Sequence, residues 1–249
     1  MKLPEGLIPV LTSARNVLVL TGAGMSAESG VPTFRDAQTG MWEKYRPEDL
    51  ATPGAFRNNP KMVWDWYEDR RKNIRRVAPH AGHAALVEME KYFESFLLVT
   101  QNVDSLHQHA GSSEVIELHG NIMCSICSET HQQIDDEWIL SHPGQPPSSP
   151  HHPRGLARPG VVWFGEELPA GTITRAMAYA SRCDVCFSIG TSTMVQPAAS
   201  LPFVALNAGA VVVEINPEPT SLSPDAHFSL RAPAAQALVS IAVNLASGE

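Results

Sequence analysis

The sequence lacks several features that would define a class of protein at once. No run of apolar residues approaches the ~20 needed for a transmembrane helix, so we expect no membrane span. Basic residues are in the minority, with 18 Lys and Arg against 26 Asp and Glu and a net charge of -8. This balance argues against nucleic acid as the main partner, because phosphate binding requires a basic surface. It does not argue against a basic, lysine-bearing substrate.

Two further absences bear on the cellular compartment. Arg15 and Asn16 interrupt the apolar segments near the N-terminus before the hydrophobic region of a signal peptide can form. The chain has only four cysteines, and without a secretory signal they are expected to remain reduced thiols. We therefore expect a cytoplasmic protein. Its 249 residues, 43% of them hydrophobic, are enough for one sizeable core with a small appended module.

A glycine-rich stretch follows the first predicted strand. Val17–Leu20 predicts a short buried strand, and Gly22 and Gly24 allow a sharp turn after it. Ser26 and Ala27 indicate the opening of a helix, and such an arrangement can aim backbone N–H groups at a pyrophosphate. Ala27 stands where G-x-G-x-x-G has its third glycine, so a glycine turn without a ligand is the alternative.

Apolar runs alternate with helical segments along the rest of the chain. Further buried strands are predicted at 96–100, 115–118, 185–189 and 210–215, and helices at 3–14, 59–76 and 80–92. The alternation predicts an α/β fold, in which a parallel sheet is covered by helices on both faces. Prolines concentrate between 143 and 153, which excludes that stretch from a sheet interior. Residues 120–158 are interpreted as an inserted module that is partly flexible.

Polar residues follow several of the predicted strands. Gln101, Asn102 and Asp104 come after one strand, and His119 comes after the next. Ligands of open α/β sheets bind at the carboxyl ends of strands, so these positions are candidate site residues, with a polar Asx-turn loop as the alternative. Histidine is a natural general base near neutral pH, although a lone strand-end histidine is more often structural. His107 and His109, on a predicted helix, are interpreted as structural.

Together, Leu20–Arg35, the T-Q-N-x-D segment 100–104 and the L-H-G segment 118–120 resemble the signatures of the sirtuins, which are NAD-dependent protein deacylases. The resemblance implies one sirtuin-type domain over 1–249. It implies a large Rossmann-like, NAD-binding part and a smaller zinc-knuckle-like or helical module. The approximate ranges are 1–35, 78–119 and 160–249 for the large part, and 36–77 and 120–159 for the small module.

The same resemblance implies the roles of individual residues. His119 is implied to be the base that deprotonates a ribose hydroxyl, and the products are free lysine, nicotinamide and O-acyl-ADP-ribose. The implied NAD-binding residues are Gly22, Ala23, Gly24, Ser26, Ala27, Phe34, Arg35, Trp42, Gln101, Asn102, Asp104, Gly190, Thr191, Ser192, Asn216 and Ala234.

Substrate residues are implied in two places. The segment with Val161, Trp163, Phe164, Gly165 and Glu166 resembles the V-V-W-F-G-E edge to which an extended peptide adds as a strand, with an aromatic core strand as the alternative.

Tyr67 and Arg70 share one helix face, and a guanidinium binds a carboxylate bidentately. Their spacing resembles the Tyr-x-x-Arg signature of sirtuins that remove succinyl or malonyl groups. The alternative is a solvated basic face, because Arg71, Lys72, Arg75 and Arg76 follow.

The sequence does not decide whether the protein binds a metal ion. Cys124 and Cys127 match the first half of the sirtuin zinc knuckle, but a structural zinc needs four ligands and the second cysteine pair is missing. His151 or His152 is a possible substitute ligand. Cys183 and Cys186 point to opposite faces of a predicted strand, which indicates core packing. Any zinc would be structural only.

The implied function is NAD-dependent removal of succinyl, malonyl and acetyl groups from lysines of proteins that bind as extended peptides. The alternatives are a non-catalytic NAD or ADP-ribose sensor, a nicotinamide oxidoreductase, and a deacetylase without preference for charged acyl groups. His119, Asn102 and Asp104 argue against the sensor, because binding alone needs no base. The oligomeric state is left open, with a monomer as one option.

Overall fold

The computed structural model of the protein describes residues 1–32, 45–142 and 144–247. The chain divides into two compact units, and each is assembled from segments that are distant in sequence. The first unit comprises Met1–Thr33, Ala78–Leu118 and Ala170–Glu249, and the second comprises Phe34–Val77 and His119–Pro169.

The division differs from the expected one near residues 119 and 160. We expected His119 and residues 160–169 in the large part, whereas both lie in the second unit. Strand pairing is the reason: Val161 pairs with Gly120, and the N–H of Val162 donates to the carbonyl oxygen of His119 at 2.9 Å. The segment that contains Val161 is therefore part of the inserted module.

The secondary structure follows the predicted alternation. In chain order the strands are β1 (Asn16–Thr21), β2 (Ser95–Thr100), β3 (Val115–Glu117), β4 (Gly120–Cys127), β5 (Gln133–Ile134), β6 (Ala157–Val161), β7 (Val185–Ile189), β8 (Val211–Ile215) and β9 (Phe228–Leu230). The helices are α1 (Leu7–Ser13), α2 (Ala23–Ala27), α3 (Pro47–Leu50), α4 (Pro53–Asn58), α5 (Pro60–Ile74), α6 (Ala81–Glu90), α7 (Leu106–Ala110), α8 (Asp136–Ser141), α9 (Thr172–Ala180), α10 (Leu201–Asn207) and α11 (Ala234–Ser247). No helix in the described ranges has the length and apolar character needed to cross a membrane.

The first unit contains a parallel sheet, as predicted. Among the described residues its six strands have the order β3-β2-β1-β7-β8-β9. Counted within this sheet alone, that is the 3-2-1-4-5-6 order of dinucleotide-binding folds. The order reverses between β1 and β7, so the carboxyl ends of these two strands form the topological switch point. Ligands of open α/β sheets bind at such a point.

Both faces of this sheet are buried. Val17 and Val19 of β1 lie in a hydrophobic cluster that also contains residues from α1, α6 and α11, such as Leu86. Leu18 and Leu20 point to the opposite face and are fully buried as well. Helix α10 packs against β7 and β8. The continuous apolar runs of these strands are typical of a parallel sheet with both faces covered.

The second unit contains an antiparallel sheet of the order β5-β4-β6, counted over the described residues. Helix α5 packs against β4 and β6. Arg71 of α5 is buried and donates to the carbonyl oxygens of Ile122 at 2.5 Å and Cys124 at 2.7 Å. A solvated basic face is therefore wrong for Arg71, although Lys72, Arg75 and Arg76 are exposed.

Candidate active site

The glycines at the switch point are required by close contact between two turns. A Cβ atom on Gly22 would lie 2.8 Å from the Cβ of Thr191, and one on Gly24 would lie 2.8 Å from the Cα of Gly190. Gly190 has a φ of +59°, and a Cβ atom there would collide with the backbone nitrogen of Met25. The turns after β1 and β7 can therefore approach only because these three positions carry no side chain.

The backbone donors of the first turn differ from the expectation. We expected several N–H groups to face a pyrophosphate. Instead the N–H of Gly22 donates to Ile189 at 3.0 Å, that of Gly24 to Gly190 at 2.8 Å, and that of Met25 to Gly22 at 2.9 Å, each time to a carbonyl oxygen. The first two donors join the two turns to each other, and the third closes the first turn on itself. The helix also begins earlier than predicted, at Ala23.

Ser26, Asn102 and Asp104 are brought together by hydrogen bonds between buried side chains. The Ser26 hydroxyl donates to Oδ2 of Asp104 at 2.7 Å. Nδ2 of Asn102 donates to Oγ of Ser26 at 2.9 Å and to the carbonyl oxygen of Gly22 at 3.0 Å. Two segments that the sequence separates by more than 70 residues are thus joined at the ends of β1 and β2.

A second group of predicted residues meets around Thr191. Nε2 of Gln101 donates to the Thr191 hydroxyl at 2.9 Å, and Nδ2 of Asn216 donates to the Thr191 carbonyl oxygen at 2.9 Å. Ser192 follows directly, and its carbonyl oxygen accepts a hydrogen bond from Thr193 at 2.7 Å. The polar residues that follow β2, β7 and β8 therefore form one connected network.

The remaining predicted cofactor residues have different positions. Ala23 and Ala27 are the first and last residues of α2, and Ala27 is exposed. Ala234 is buried and begins α11. Phe34, Arg35 and Trp42 lie outside the described residues.

A row of histidines that sequence reasoning did not connect lies in the first unit. The rings of His80 and His83 are 4.3 Å apart between centroids, and those of His83 and His107 are 4.9 Å apart. Nε2 of His107 lies 3.0 Å from the hydroxyl of Thr21. Burial, followed by the neighbouring imidazoles, lowers the pKa of His83 to about 3 and that of His107 to about 4. Both rings are therefore neutral at physiological pH, which fits the structural role expected for His107.

In the second unit, the predicted peptide-binding segment is a strand only at its start. Strand β6 ends at Val161, and Gly165 adopts a φ of +88° in the turn that follows. Trp163 is buried, whereas Phe164 is 47% exposed. The N–H of Phe164 donates to the carbonyl oxygen of Ala51 at 2.9 Å. The segment is therefore an edge strand followed by an anchored turn, with one aromatic ring buried and the next exposed.

An ion pair that sequence reasoning missed fixes this turn. Arg158 is 2% exposed and donates to Oε1 of Glu166 at 2.6 Å and to Oε2 at 3.0 Å. Its guanidinium carbon lies 3.3 Å from the ring centroid of Trp163, whose backbone N–H donates to Oε2 of Glu166 at 2.9 Å. Burial raises the pKa of Glu166, but these hydrogen bonds outweigh it and hold the pKa below its usual range. The Glu166 carboxylate is thus engaged within the protein.

Tyr67 and Arg70 lie one turn apart on α5, as predicted. Tyr67 is buried, and its phenol oxygen accepts a hydrogen bond from Nε1 of Trp163 at 3.0 Å. The Arg70 guanidinium lies 5.1 Å from the ring centroid of Trp66, and the rings of Trp66 and Tyr67 meet edge to face at 4.6 Å. Burial raises the pKa of Tyr67 to about 12, although the positive charge of Arg70 acts in the opposite direction. The charge of Arg70 therefore acts on the phenol of Tyr67.

The residues around Cys127 do not fit a four-ligand zinc. Across the described ranges, no group of three or more His, Cys, Asp or Glu side chains could hold a metal ion. A Cβ atom on Gly155 would lie 2.7 Å from the sulfur of Cys127 and 3.2 Å from the Cβ of Ser149. Burial raises the pKa of Cys127, but hydrogen bonds from Ser149 and Thr130 outweigh it and lower the pKa. Hydroxyl and backbone donors thus occupy the surroundings of the sulfur. His151 is turned to another partner, with Nε2 2.7 Å from the carbonyl oxygen of Gln133.

The other two cysteines pack in the core, as expected. Cys183 and Cys186 are buried, and burial raises the pKa of both thiols, that of Cys183 to about 12.

Comparisons with known proteins identify relatives of the whole chain. The family model described as "Sir2 family" matches residues 22–197. The NAD-dependent protein deacylase of Aquifex aeolicus is 50% identical over 219 residues, which are 87% of this chain and 90% of that protein. The NAD-dependent protein deacylase of Deinococcus radiodurans is 47% identical over 237 residues, which are 92% of this chain and 94% of that protein.

Solved structures extend the comparison to the fold. A crystal structure of a Sir2 homolog–NAD complex has a TM-score of 0.91 and 40% sequence identity, and the match covers 99% of this chain and 95% of that chain. A Sir2 mutant with a p53 peptide and NAD has a TM-score of 0.86 and 27% identity, with 100% of this chain and 99% of that chain covered.

Proposed function

The chain belongs to the Sir2 family, and we propose that this NAD-dependent protein deacylase removes succinyl and malonyl groups, as well as acetyl groups, from protein lysines. The deacylase activity is the one for which its relatives are named. The preference for charged acyl groups rests on one observation, the position of Tyr67 and Arg70 one turn apart on α5, with both side chains packed against Trp66.

The residues at the switch point of the first unit suit a dinucleotide. Ser26, Gln101, Asn102, Asp104, Thr191, Ser192 and Asn216 supply amide, hydroxyl and carboxylate groups at the carboxyl ends of β1, β2, β7 and β8. Such groups bind ribose hydroxyls and a nicotinamide amide. When bound, NAD would supply an ADP-ribosyl acceptor for the acyl group and nicotinamide as the leaving group. The hydrogen bonds among these side chains hold them in fixed orientations before any ligand arrives.

We assign the general base to His119. An imidazole exchanges protons near neutral pH and can accept the proton of a ribose hydroxyl, which makes that oxygen nucleophilic. His119 follows Leu118, whose N–H donates to the carbonyl oxygen of Thr100 at 2.9 Å, and Gln101 begins the polar segment after Thr100. The L-H-G motif at 118–120 supports the assignment.

The acylated protein would bind as an extended peptide. Strand β6 is at an edge of the three-stranded sheet of the second unit. Main-chain pairing at an edge gives affinity with little dependence on the peptide's sequence. The exposed ring of Phe164 follows this edge and offers an apolar contact for the lysine's methylene chain.

Tyr67 and Arg70 would recognise the end of the acyl group. Succinyl and malonyl groups end in a carboxylate, which can accept hydrogen bonds from a guanidinium and a phenol. An acetyl group ends in a methyl group, which uses neither donor. Burial lowers the pKa of Arg70, but the guanidinium remains protonated in proteins and therefore keeps its charge.

The test is an acyl-chain panel with NAD. We expect nicotinamide release that is stoichiometric with deacylation of succinyl-lysine, malonyl-lysine and acetyl-lysine peptides. His119→Tyr should abolish turnover of all three. Arg70→Met should lower kcat/KM for the succinyl and malonyl peptides about tenfold to a hundredfold, because a charge-assisted contact of about 1.5–3 kcal/mol is lost. The acetyl peptide is the internal control.

Each alternative gives a different result in this assay. An NAD or ADP-ribose sensor would bind NAD without releasing nicotinamide, and an oxidoreductase would reduce NAD and not cleave it. A deacetylase without charged-acyl preference would lose activity equally on all three peptides in the Arg70→Met variant. We place the protein in the cytoplasm on the sequence expectation that its cysteines remain thiols.

A further inference from the structure

We propose that Trp163 is a positioning residue that sets the preference for acyl groups ending in a carboxylate, because its indole N–H fixes the direction in which Tyr67 donates its hydroxyl proton. This inference rests on the proposed recognition of charged acyl groups by Tyr67 and Arg70. It assigns to Trp163 a role different from the peptide-edge contact expected from the sequence.

A hydrogen bond joins the two side chains directly. Nε1 of Trp163 lies 3.0 Å from Oη of Tyr67, and the bond is buried. An indole N–H can only donate, so the phenol oxygen must be the acceptor. The phenol proton is then directed away from Trp163 and towards another acceptor. A carboxylate at the end of an acyl group is an acceptor, and a methyl group is not.

The phenol keeps its proton at physiological pH. Burial raises the pKa of Tyr67 to about 12, so this side chain is a neutral donor. Arg70, three residues further along α5, supplies the positive charge. A carboxylate would therefore meet one neutral donor of fixed direction and one cation, while Trp66 packs against both side chains.

The indole itself is held from several sides. The Arg158 guanidinium covers one face, with 3.3 Å between its central carbon and the ring centroid. The ring of Phe56 lies 5.3 Å away between centroids. Glu166 accepts the backbone N–H of Trp163 at 2.9 Å and is bound through both oxygens by Arg158. Because ring and backbone are fixed together, the N–H of Trp163 has little freedom to turn away from Tyr67.

The test compares acyl selectivity, defined as kcat/KM for a succinyl-lysine peptide divided by kcat/KM for the matching acetyl-lysine peptide at saturating NAD. Trp163→Phe removes the N–H and keeps an aromatic ring. We expect selectivity to fall about fivefold to tenfold, the equivalent of one hydrogen bond, chiefly through a higher KM for the succinyl peptide. Because selectivity is a ratio measured on one preparation, it does not depend on the fraction of folded protein.

Two comparisons separate positioning from packing. Tyr67→Phe should lower selectivity by a similar factor, and the double variant should show little further loss, since both changes remove one coupled unit. Trp138→Phe is the matched control, because it removes an indole N–H that donates to the carbonyl oxygen of Ser148 at 2.9 Å in the same unit. It should leave selectivity unchanged.

A second variant covers the case in which Trp163→Phe does not fold. β-(3-Benzothienyl)alanine at position 163 has the size of tryptophan and replaces its N–H with sulfur, so only the donor is lost. The same drop in selectivity is expected. Unchanged selectivity in either variant, or losses that simply multiply with Tyr67→Phe, would overturn the inference. A wild-type protein without charged-acyl activity would instead overturn the proposed function.

Discussion

Two oppositely charged side chains of the second unit are largely shielded from solvent. The side chains of Arg158 and Glu166 are 3% and 17% exposed, and their ion pair joins β6 to the turn that contains Trp163. Breaking a buried pair is costly because the remaining charge stays desolvated without a partner. At the surface, by contrast, an ion pair contributes little, since water screens it and long side chains lose freedom on pairing.

This contrast gives a prediction for two variants. Arg158→Met should lower the free energy of unfolding by about 3 kcal/mol, because Glu166, whose side chain is only 17% exposed, loses its cationic partner. Lys91→Met is the matched control, since Lys91 and Glu88 form a pair with side chains 62% and 59% exposed. It should cost less than about 1 kcal/mol. Urea denaturation measures both, and equal losses would contradict the buried-pair interpretation.

The buried histidines of the first unit make stability dependent on pH. The folded pKa values of about 3 for His83 and about 4 for His107 lie below the unfolded value. Below pH ~6.5 the unfolded chain therefore takes up protons that the folded protein does not. The free energy of unfolding should fall as pH falls, by up to about 1.4 kcal/mol per pH unit for each histidine, until the folded groups protonate.

Urea denaturation between pH 7 and pH 5 measures this slope. His107→Gln should reduce it, because one of the two neutral rings is removed. His109→Gln, at an exposed position of the same helix α7, is the control and should leave it unchanged. A slope that is identical in the wild type and in His107→Gln would show that this ring does not stay neutral in the fold.

Among the elements, β4 and β6 are held together by contacts that need no metal ion, and the described part of the chain offers no set of metal ligands beside them. They pair directly, and Ser125 pairs with Pro159 beyond an irregularity in the register. Arg71 of α5 adds hydrogen bonds to the carbonyl oxygens of two residues in β4. A small hydrophobic cluster of Trp64, Cys127, Ile134 and Ala157 lies in the same unit. The second unit is thus stabilised by strand pairing, by apolar packing and by the buried Arg71, which take the place of a zinc site with four thiolate ligands.

Chelation tests this account. EDTA should leave the thermal unfolding midpoint unchanged, and the purified protein should contain no stoichiometric zinc. Ser149→Ala should destabilise the protein by about 1 kcal/mol, because the Ser149 hydroxyl accepts the backbone N–H of His151 at 3.1 Å and this hydrogen bond is lost. Stoichiometric zinc whose removal lowers the midpoint would contradict the prediction.

At the scale of the whole molecule, much of the fold could be predicted from the sequence. All five predicted strands are present. Four of them, β1, β2, β7 and β8, could be recognised because nearly continuous apolar runs are typical of strands buried on both faces. The order of the strands could not be read in this way, since it depends on crossovers. Strands β4, β5 and β9 were not predicted, and β5 and β9 have only two and three residues, which carry too little pattern.

The site could be predicted in part. The polar residues after β2, β7 and β8 were identified as candidates because each follows an apolar run, and the structure joins Gln101 and Asn216 to Thr191. Asn102 is instead bonded to Ser26, after β1. Arg158 was missed because nothing in its sequence neighbourhood indicates that Glu166 is its partner. The N–H groups of the glycine turn were expected to face a ligand. This expectation was wrong because the sequence does not reveal that Gly190 lies against the turn and accepts the N–H of Gly24.

Binding of NAD should raise the stability of the whole folded protein. Anything that binds only the folded state stabilises it, so NAD at about 100 times its Kd should add about 2.7 kcal/mol to the free energy of unfolding. Asn102→Ala should reduce this gain, because Asn102 holds Ser26 and the carbonyl oxygen of Gly22. Thermal denaturation with and without NAD measures both, and an equal gain in the variant would remove Asn102 from the binding site.

The position of β1 in the middle of the sheet has a consequence for synthesis on the ribosome. Val17 pairs with Val185, so one side of this apolar strand has no native neighbour until most of the chain has been translated. At typical elongation rates that interval lasts about ten seconds or more. The nascent chain therefore carries an unprotected strand edge through most of its production. Until β7 is made, that edge is open to pairing with another chain.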